Sequence, residues 1–150
     1  MSDMHTTSKL DDLIVTLIDS VKGFENSAEA AKAENYRSFF TEMASDRRGA
    51  VDLLQAASRA EGGTPAESGS AAGTLHRRFE DIRSALGGGD EAIIREVERG
   101  EDYLKEEFER VLADDRMSPA AMNAVREAYG SVRRGHDRAS ALKHQLESAS

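Results

Sequence analysis

Residues 10–29, LDDLIVTLIDSVKGFENSAE, decide how the rest of the chain is read. Leu10, Leu13, Ile14, Leu17, Ile18, Val21, Phe24 and Ala28 recur at spacings of three and four, and Ala31 continues the series. That period puts them on one stripe of a helix, which needs partners to bury it. Ser8, with Asp11 three residues on, forms a weak capping box at the start. The expectation is a helix over about 9–32, preceded by a flexible segment, 1–8.

Outward from this helix the same period returns. Tyr36, Phe39, Phe40, Met43, Ala50, Val51, Leu54 and Ala57 form a second stripe, over about 35–61. It is stopped by Gly62-Gly63 with Pro65 beyond, the chemistry of a helix C-terminus. Leu75, Phe79, Ile82 and Leu86 share a face in a shorter helix, about 69–86, which Gly87-Gly88-Gly89 ends. Asp90 is suited to cap the next helix, about 90–114, whose stripe includes Ile93, Ile94, Leu104 and Phe108. Ser118 before Pro119 starts the last, about 119–147, with Met122, Val125, Tyr129, Val132, His136 and Ala139 on its stripe. No run alternates long enough to nominate a strand. Two hairpins with short turns, separated by a connection of nearly thirty residues, describe an all-α four-helix bundle with one long crossover containing a short fifth helix. Residues 9–148 then form one domain, and the crossover helix either covers the bundle or docks on a second copy.

Composition removes whole classes of function. With no cysteine there is no disulfide framework, zinc ribbon, iron–sulfur cluster or thiol nucleophile. The first residues lack an apolar core of a signal peptide, and no apolar run is long enough to span a bilayer, so a cytoplasmic location with no membrane contact is expected. A net charge of -8 opposes phosphate binding. The doublets Arg47-Arg48, Arg77-Arg78 and Arg133-Arg134, with Arg138 and Lys143, invite a nucleic-acid reading, but the last helix faces the acidic helix that carries Glu96, Glu98, Glu101, Glu106 and Glu107, and mutual pairing is the simpler account, so no nucleic acid is expected. Neither a nucleophile elbow nor a phosphate-cradling glycine loop is present, so the reading leans away from an enzyme.

Several segments together bear a resemblance. Leu10–Glu29, Met43–Arg48 (MASDRR), Gly62–Leu75 (GGTPAESGSAAGTL) followed by His76, and Glu96–Asp102 (EVERGED) resemble an uncharacterised bacterial ferritin-like four-helix-bundle family. The resemblance implies a ferritin-like fold and no particular reaction.

Ferritin-like di-iron bundles take a Glu from each of two helices and a Glu-x-x-His from each of the other two, all pointing inward. Glu25, Asp46, Glu98, Glu101 and His136 are the residues here that could contribute to such a centre, with iron or manganese as the metal. Folding the first hairpin near residue 33 sets Asp46 opposite Ser20 or Val21, and the place three residues beyond Asp46 is Gly49, not His. Glu25 falls on the inner face of the first helix, nearer Glu42. In the second hairpin His136 lies level with Val97 or Glu98 and Glu101 with Val132, while Arg133 stands where a Glu would be needed. A positive charge there has the wrong sign for a metal site. The favoured alternative is an ion network across the bundle, in which Arg47, Arg133 and His136 are the cations available to Glu98 and Glu101 and Asp46-Arg47-Arg48 interrupts the stripe to set register. The function expected is that of a non-catalytic bundle without cofactor, acting through self-association, with a dimer favoured, or through a protein partner in stress adaptation. The alternative is a metal-binding bundle with oxidase or storage activity.

Overall fold

The computed structural model describes residues 4–69 and 89–149. Four helices account for nearly all of them: α1 (Met4–Ala30), α2 (Glu34–Ala60), α3 (Gly89–Leu112) and α4 (Pro119–Ala149). Among the described residues there is no strand. The short helix expected over 69–86, with Leu75, Phe79, Ile82 and Leu86, lies outside the described residues apart from Gly69.

Helix ends follow local chemistry. At the end of α2, Gly62 takes φ 84°, its N–H donates to the Arg59 carbonyl at 3.0 Å, and the Gly63 N–H donates to the Ser58 carbonyl at 2.9 Å. These are the two bonds of a Schellman stop, and the positive φ explains why glycine stands there. Ser118 caps α4, its Oγ accepting from the Ala121 N–H at 3.2 Å, with Pro119 as the first helical residue.

Two termini differ from the sequence expectation. Helix α1 begins at Met4, five residues before the expected start near residue 9. The cause is long-range: His5 Nε2 lies 2.7 Å from Asp114 Oδ2, and buried Thr6 accepts from the Ser118 N–H at 3.1 Å. Asp90 does not cap its own helix from outside; it sits in the first turn of α3. Its carboxylate instead accepts from the Lys32 and Ala33 N–H groups at 2.9 and 3.0 Å, closing the α1–α2 turn.

Around the bundle the order is α1, α2, α4, α3. Each neighbouring pair is antiparallel: Arg48 meets Glu25, Glu42 meets Arg138, Asp102 meets His136 and Thr16 meets Glu107. Thus α2 and α3 both run away from the α1–α2 turn. The connection between them leaves α2 at Glu61, beside Ser118, and reaches α3 near Asp90, beside Lys32, at the opposite end of the bundle. Its first residues lie on α1 and α2, where the Ala66 N–H donates to Asp11 at 2.8 Å and the Ala66 carbonyl accepts from Gln55 at 2.9 Å. The four helices therefore form a bundle with one long crossover.

The interior divides in two. A larger apolar cluster, with Leu13, Leu17, Leu54, Leu104, Phe108 and Val125, fills the end nearer the α3–α4 turn. A smaller one, with Phe24, Phe40, Met43, Ile93 and Ile94, fills the end nearer the α1–α2 turn. Between them lies a polar layer.

Candidate functional site

Arg47 is the centre of that layer. Its side chain is wholly buried and that of Glu101 is 3% exposed. The two meet end-on: Nη1 donates to Glu101 Oε1 at 3.0 Å and Nη2 to Oε2 at 2.6 Å. This fork geometry suits guanidinium and carboxylate better than any lysine could. Nη1 also donates to the Ser20 hydroxyl at 2.5 Å, and the guanidinium carbon stands 5.2 Å from the centre of the Phe24 ring. Arg47 Nε has no hydrogen-bond partner among the described residues. Helix α4 contributes an absence of side chain. A methyl group at Gly135 would stand 2.5 Å from Arg47 Nη2 and Met43 Cε, and 2.9 Å from Glu101 Oε2. Ser20, Arg47, Glu101 and Gly135 thus bring one residue from each helix to one level.

The five residues weighed as metal ligands do not converge. Glu101 alone belongs to this layer. Glu25 is half exposed and pairs with Arg48 at 3.0 Å; its position at the α1–α2 margin lets the carboxylate reach solvent, so it is not inward. Asp46 does not face Ser20 or Val21. It turns to α4, accepting from Ser131 Oγ at 2.7 Å with Arg134 Nη2 at 3.6 Å. The neighbouring Arg47, rotated about 100° around the helix, takes the inward place. Glu98 pairs with Lys143 at 3.1 Å. His136 meets neither Glu98 nor Glu101: Nε2 lies 2.5 Å from Asp102 Oδ1 and Nδ1 lies 3.2 Å from Asp137 Oδ1. Arg133 is at the surface beside Asp137 of its own helix. Among the described residues no three His, Asp or Glu side chains gather as a metal would require.

Sequence reasoning missed Ser131, Asp102 and Gly135. Asp102 was hidden because the α3–α4 register inferred from the turn is off by about one helical turn, and Ser131 because it pairs α4 with α2, which no hairpin register addresses. Gly135 had a signal, a glycine within the helical stripe, whose meaning depends on knowing that Arg47 points at it. The basic residues of α4 also divide differently from expectation: Lys143 reaches α3, while Arg134 and Arg138 reach Asp46 and Glu42 on α2.

Two clusters near the α3–α4 turn carry perturbed acids. A hydrogen bond from the Tyr129 hydroxyl, 2.8 Å from Glu109 Oε2, holds the Glu109 carboxyl below its ordinary value, with Lys105 adding to the effect. Burial, reinforced by that carboxylate, pushes the Tyr129 phenol up. The Arg116 N–H and then the His5 ring hold Asp114 down.

The α1–α3 seam is open. Beside the polar layer it widens into a recess of about 300 Å³, walled by Phe24, Val97, Tyr103 and Leu104 and by the small residues Gly23 and Gly100. Its polar lining residues are Thr16, Ser20, Ser27, Glu96, Arg99 and Glu101; Ser20, Ser27 and Glu101 are the buried ones, and the Ser27 hydroxyl donates to the Gly23 carbonyl at 2.8 Å. Tyr103 stands on the rim, 52% exposed. Toward the α3–α4 turn a second recess of about 460 Å³ is charged, with Lys9, Asp12, Glu107, Arg110 and Asp114. Thr16 lines both and bridges the seam by donating to Glu107 at 3.0 Å. A cleft of this shape can take a ligand or a partner's side chains.

Among the described residues no helix is long and apolar enough to cross a membrane. No curated protein and no solved structure matches the chain. A family model does match residues 5–114, a span that takes in Ser20, Arg47, Glu101 and both walls of the cleft and stops before α4. The chain belongs to that family, the domain of unknown function DUF2383.

Proposed function

We propose that this chain is a non-catalytic helical binding module whose working surface is the α1–α3 cleft. The observation that carries the reading is the contrast between seam and interior: the central ionisable groups pair with one another, while the seam beside them stays open. The connectivity, with α2 and α3 parallel and joined by a crossover, supports a ferritin-like reading of the bundle. At the level where such a bundle would hold metal ions, the Arg47 guanidinium supplies the positive charge that Glu101 needs. That arrangement supports a structural centre over iron or manganese oxidase or storage chemistry.

Amide NMR spectra recorded against a chemically mixed fragment set test the proposal. Shifts clustered on the cleft-facing residues of α1 and α3 are expected. Shifts clustered on any other face, or Mn²⁺ broadening centred on Glu101, would overturn it.

A further inference from the structure

Glycine in mid-helix destabilises by about 0.5–1 kcal/mol relative to alanine, so its presence asks for a reason. At Gly135 the reason is contact with Arg47. At Gly23 and Gly100, across the seam from each other, it is not: a methyl at either would meet no heavy atom of the described residues within 4 Å. What these two glycines preserve is space, and both line the 300 Å³ recess. That volume lies at the lower end of the range for small-molecule pockets, roughly 300–1,000 Å³.

The base of the recess specifies the head group. Ser20, 8% exposed, accepts from Arg47, so its own proton is free to be donated, and no acceptor for it occurs among the described residues. Glu101 gives two lone pairs to Arg47, and an ionised carboxylate has about four such sites. The base therefore offers one donor and one acceptor side by side. Arg47 and Glu101 cancel in charge, and the other two charged residues that line the recess, Glu96 and Arg99, pair with each other at 3.0 Å, so a charged head group would lose its water without gaining a free counter-ion. A hydroxyl, which accepts from Ser20 and donates to Glu101, fits this pair. The walls of Phe24, Val97, Tyr103 and Leu104 fit an apolar body.

We infer that the α1–α3 recess binds a small neutral amphiphile, an apolar chain or ring carrying a single hydroxyl. The inference rests on the cleft being the working surface and adds the ligand's chemical class.

Titration of the full chain with 1-octanol, octanoate and octylammonium, read from amide shifts, tests it. The expected result is that 1-octanol shifts the amides of Gly23, Gly100 and Tyr103 and binds at least tenfold more tightly than either charged homologue. Ser20→Ala should weaken it about three- to tenfold, the effect of one hydrogen bond. Gly100→Leu should abolish it while the thermal midpoint holds or rises, which separates filling of the recess from unfolding. Equal or tighter binding of a charged homologue at the same amides sinks the ligand class and leaves the cleft standing. Absence of shifts there with all three probes sinks both. Light scattering that finds a dimer dissociated by Gly100→Leu would name a second copy as the occupant, and nuclear Overhauser contacts from residues 70–88 into the recess would name the chain itself; either overturns the inference.

Discussion

Replacing Glu101 by Leu should be among the most destabilising single changes available to this chain, and the magnitude follows from the geometry. The Arg47 side chain has no exposed surface and Glu101 accepts two of its donors, at 3.0 and 2.6 Å. Without Glu101 the guanidinium keeps only Ser20 and the Phe24 face, with Nε already unpartnered. Removing one partner of a buried pair costs about 3–5 kcal/mol, chiefly because a charge is left uncompensated. At about 2–4 °C per kcal/mol for a chain of this size, the melting temperature should fall by roughly 6–20 °C. Arg47→Met should cost a similar amount by stranding the carboxylate. The double variant Arg47→Met/Glu101→Leu removes both charges and returns apolar volume, so it should recover to within about 1 kcal/mol of the parent. Urea unfolding followed by far-UV circular dichroism, with thermal melts in parallel, gives the full cycle. A coupling above about 2 kcal/mol is expected. Single variants that each cost less than about 1 kcal/mol, or a double variant whose loss equals the sum of the two, would refute the reasoning.

The glycines should separate by position under one substitution: Gly135→Ala is expected to destabilise by about 1–3 kcal/mol because the methyl is driven into Arg47 and Met43, while Gly23→Ala and Gly100→Ala should each stabilise by about 0.5–1 kcal/mol, all measured by urea midpoint. Tyr129 should ionise above the ordinary phenol value, and Glu109→Gln should bring it part of the way back, since burial remains the larger cause; absorbance titration near 295 nm reads both. A phenol held neutral in the folded chain contributes stability below the unfolded value of about 10 and loses it as pH rises through the folded one, so unfolding should steepen in that alkaline window. Asp114 has the opposite sign: its depressed value contributes stability that is present above about 3.9 and lost as pH falls through the folded value, so Asp114→Asn should flatten the acid limb of a stability-against-pH curve.

Helix boundaries were legible wherever the signal was local. Gly62-Gly63 and Ser118-Pro119 announce their caps in four residues of sequence, and the apolar period places Leu13, Phe40, Phe108 and Val125 inside without further knowledge. The start of α1 at Met4 was not legible because the contacts of this segment lie more than a hundred residues away, at Asp114 and Ser118. Asp90 failed for the same reason, since its acceptor capacity is used across the bundle. At the centre, pairing by register reached Glu101 and supplied Arg47 as an available cation. It gave the inward place on α2 to Asp46, because hairpin register estimated from a turn carries an error of one residue, and one residue is a rotation of about 100°. In the second hairpin the error was larger: the turn set His136 level with Val97 or Glu98, and its partner Asp102 lies about one helical turn further along α3. The cleft could not be read at all: an open seam is a property of the distance between two helices, and Gly23 and Gly100 acquire meaning only once they are known to face each other.

A crystal grown with excess Mn²⁺ and measured for anomalous scattering tests the central claim that a guanidinium–carboxylate pair occupies the middle of the bundle. Arg47 is expected forked onto Glu101 in the density, with no anomalous peak between the four helices at the level of Ser20 and Gly135. A peak there, with the Glu101 carboxylate turned onto the ion and Arg47 displaced, would contradict it.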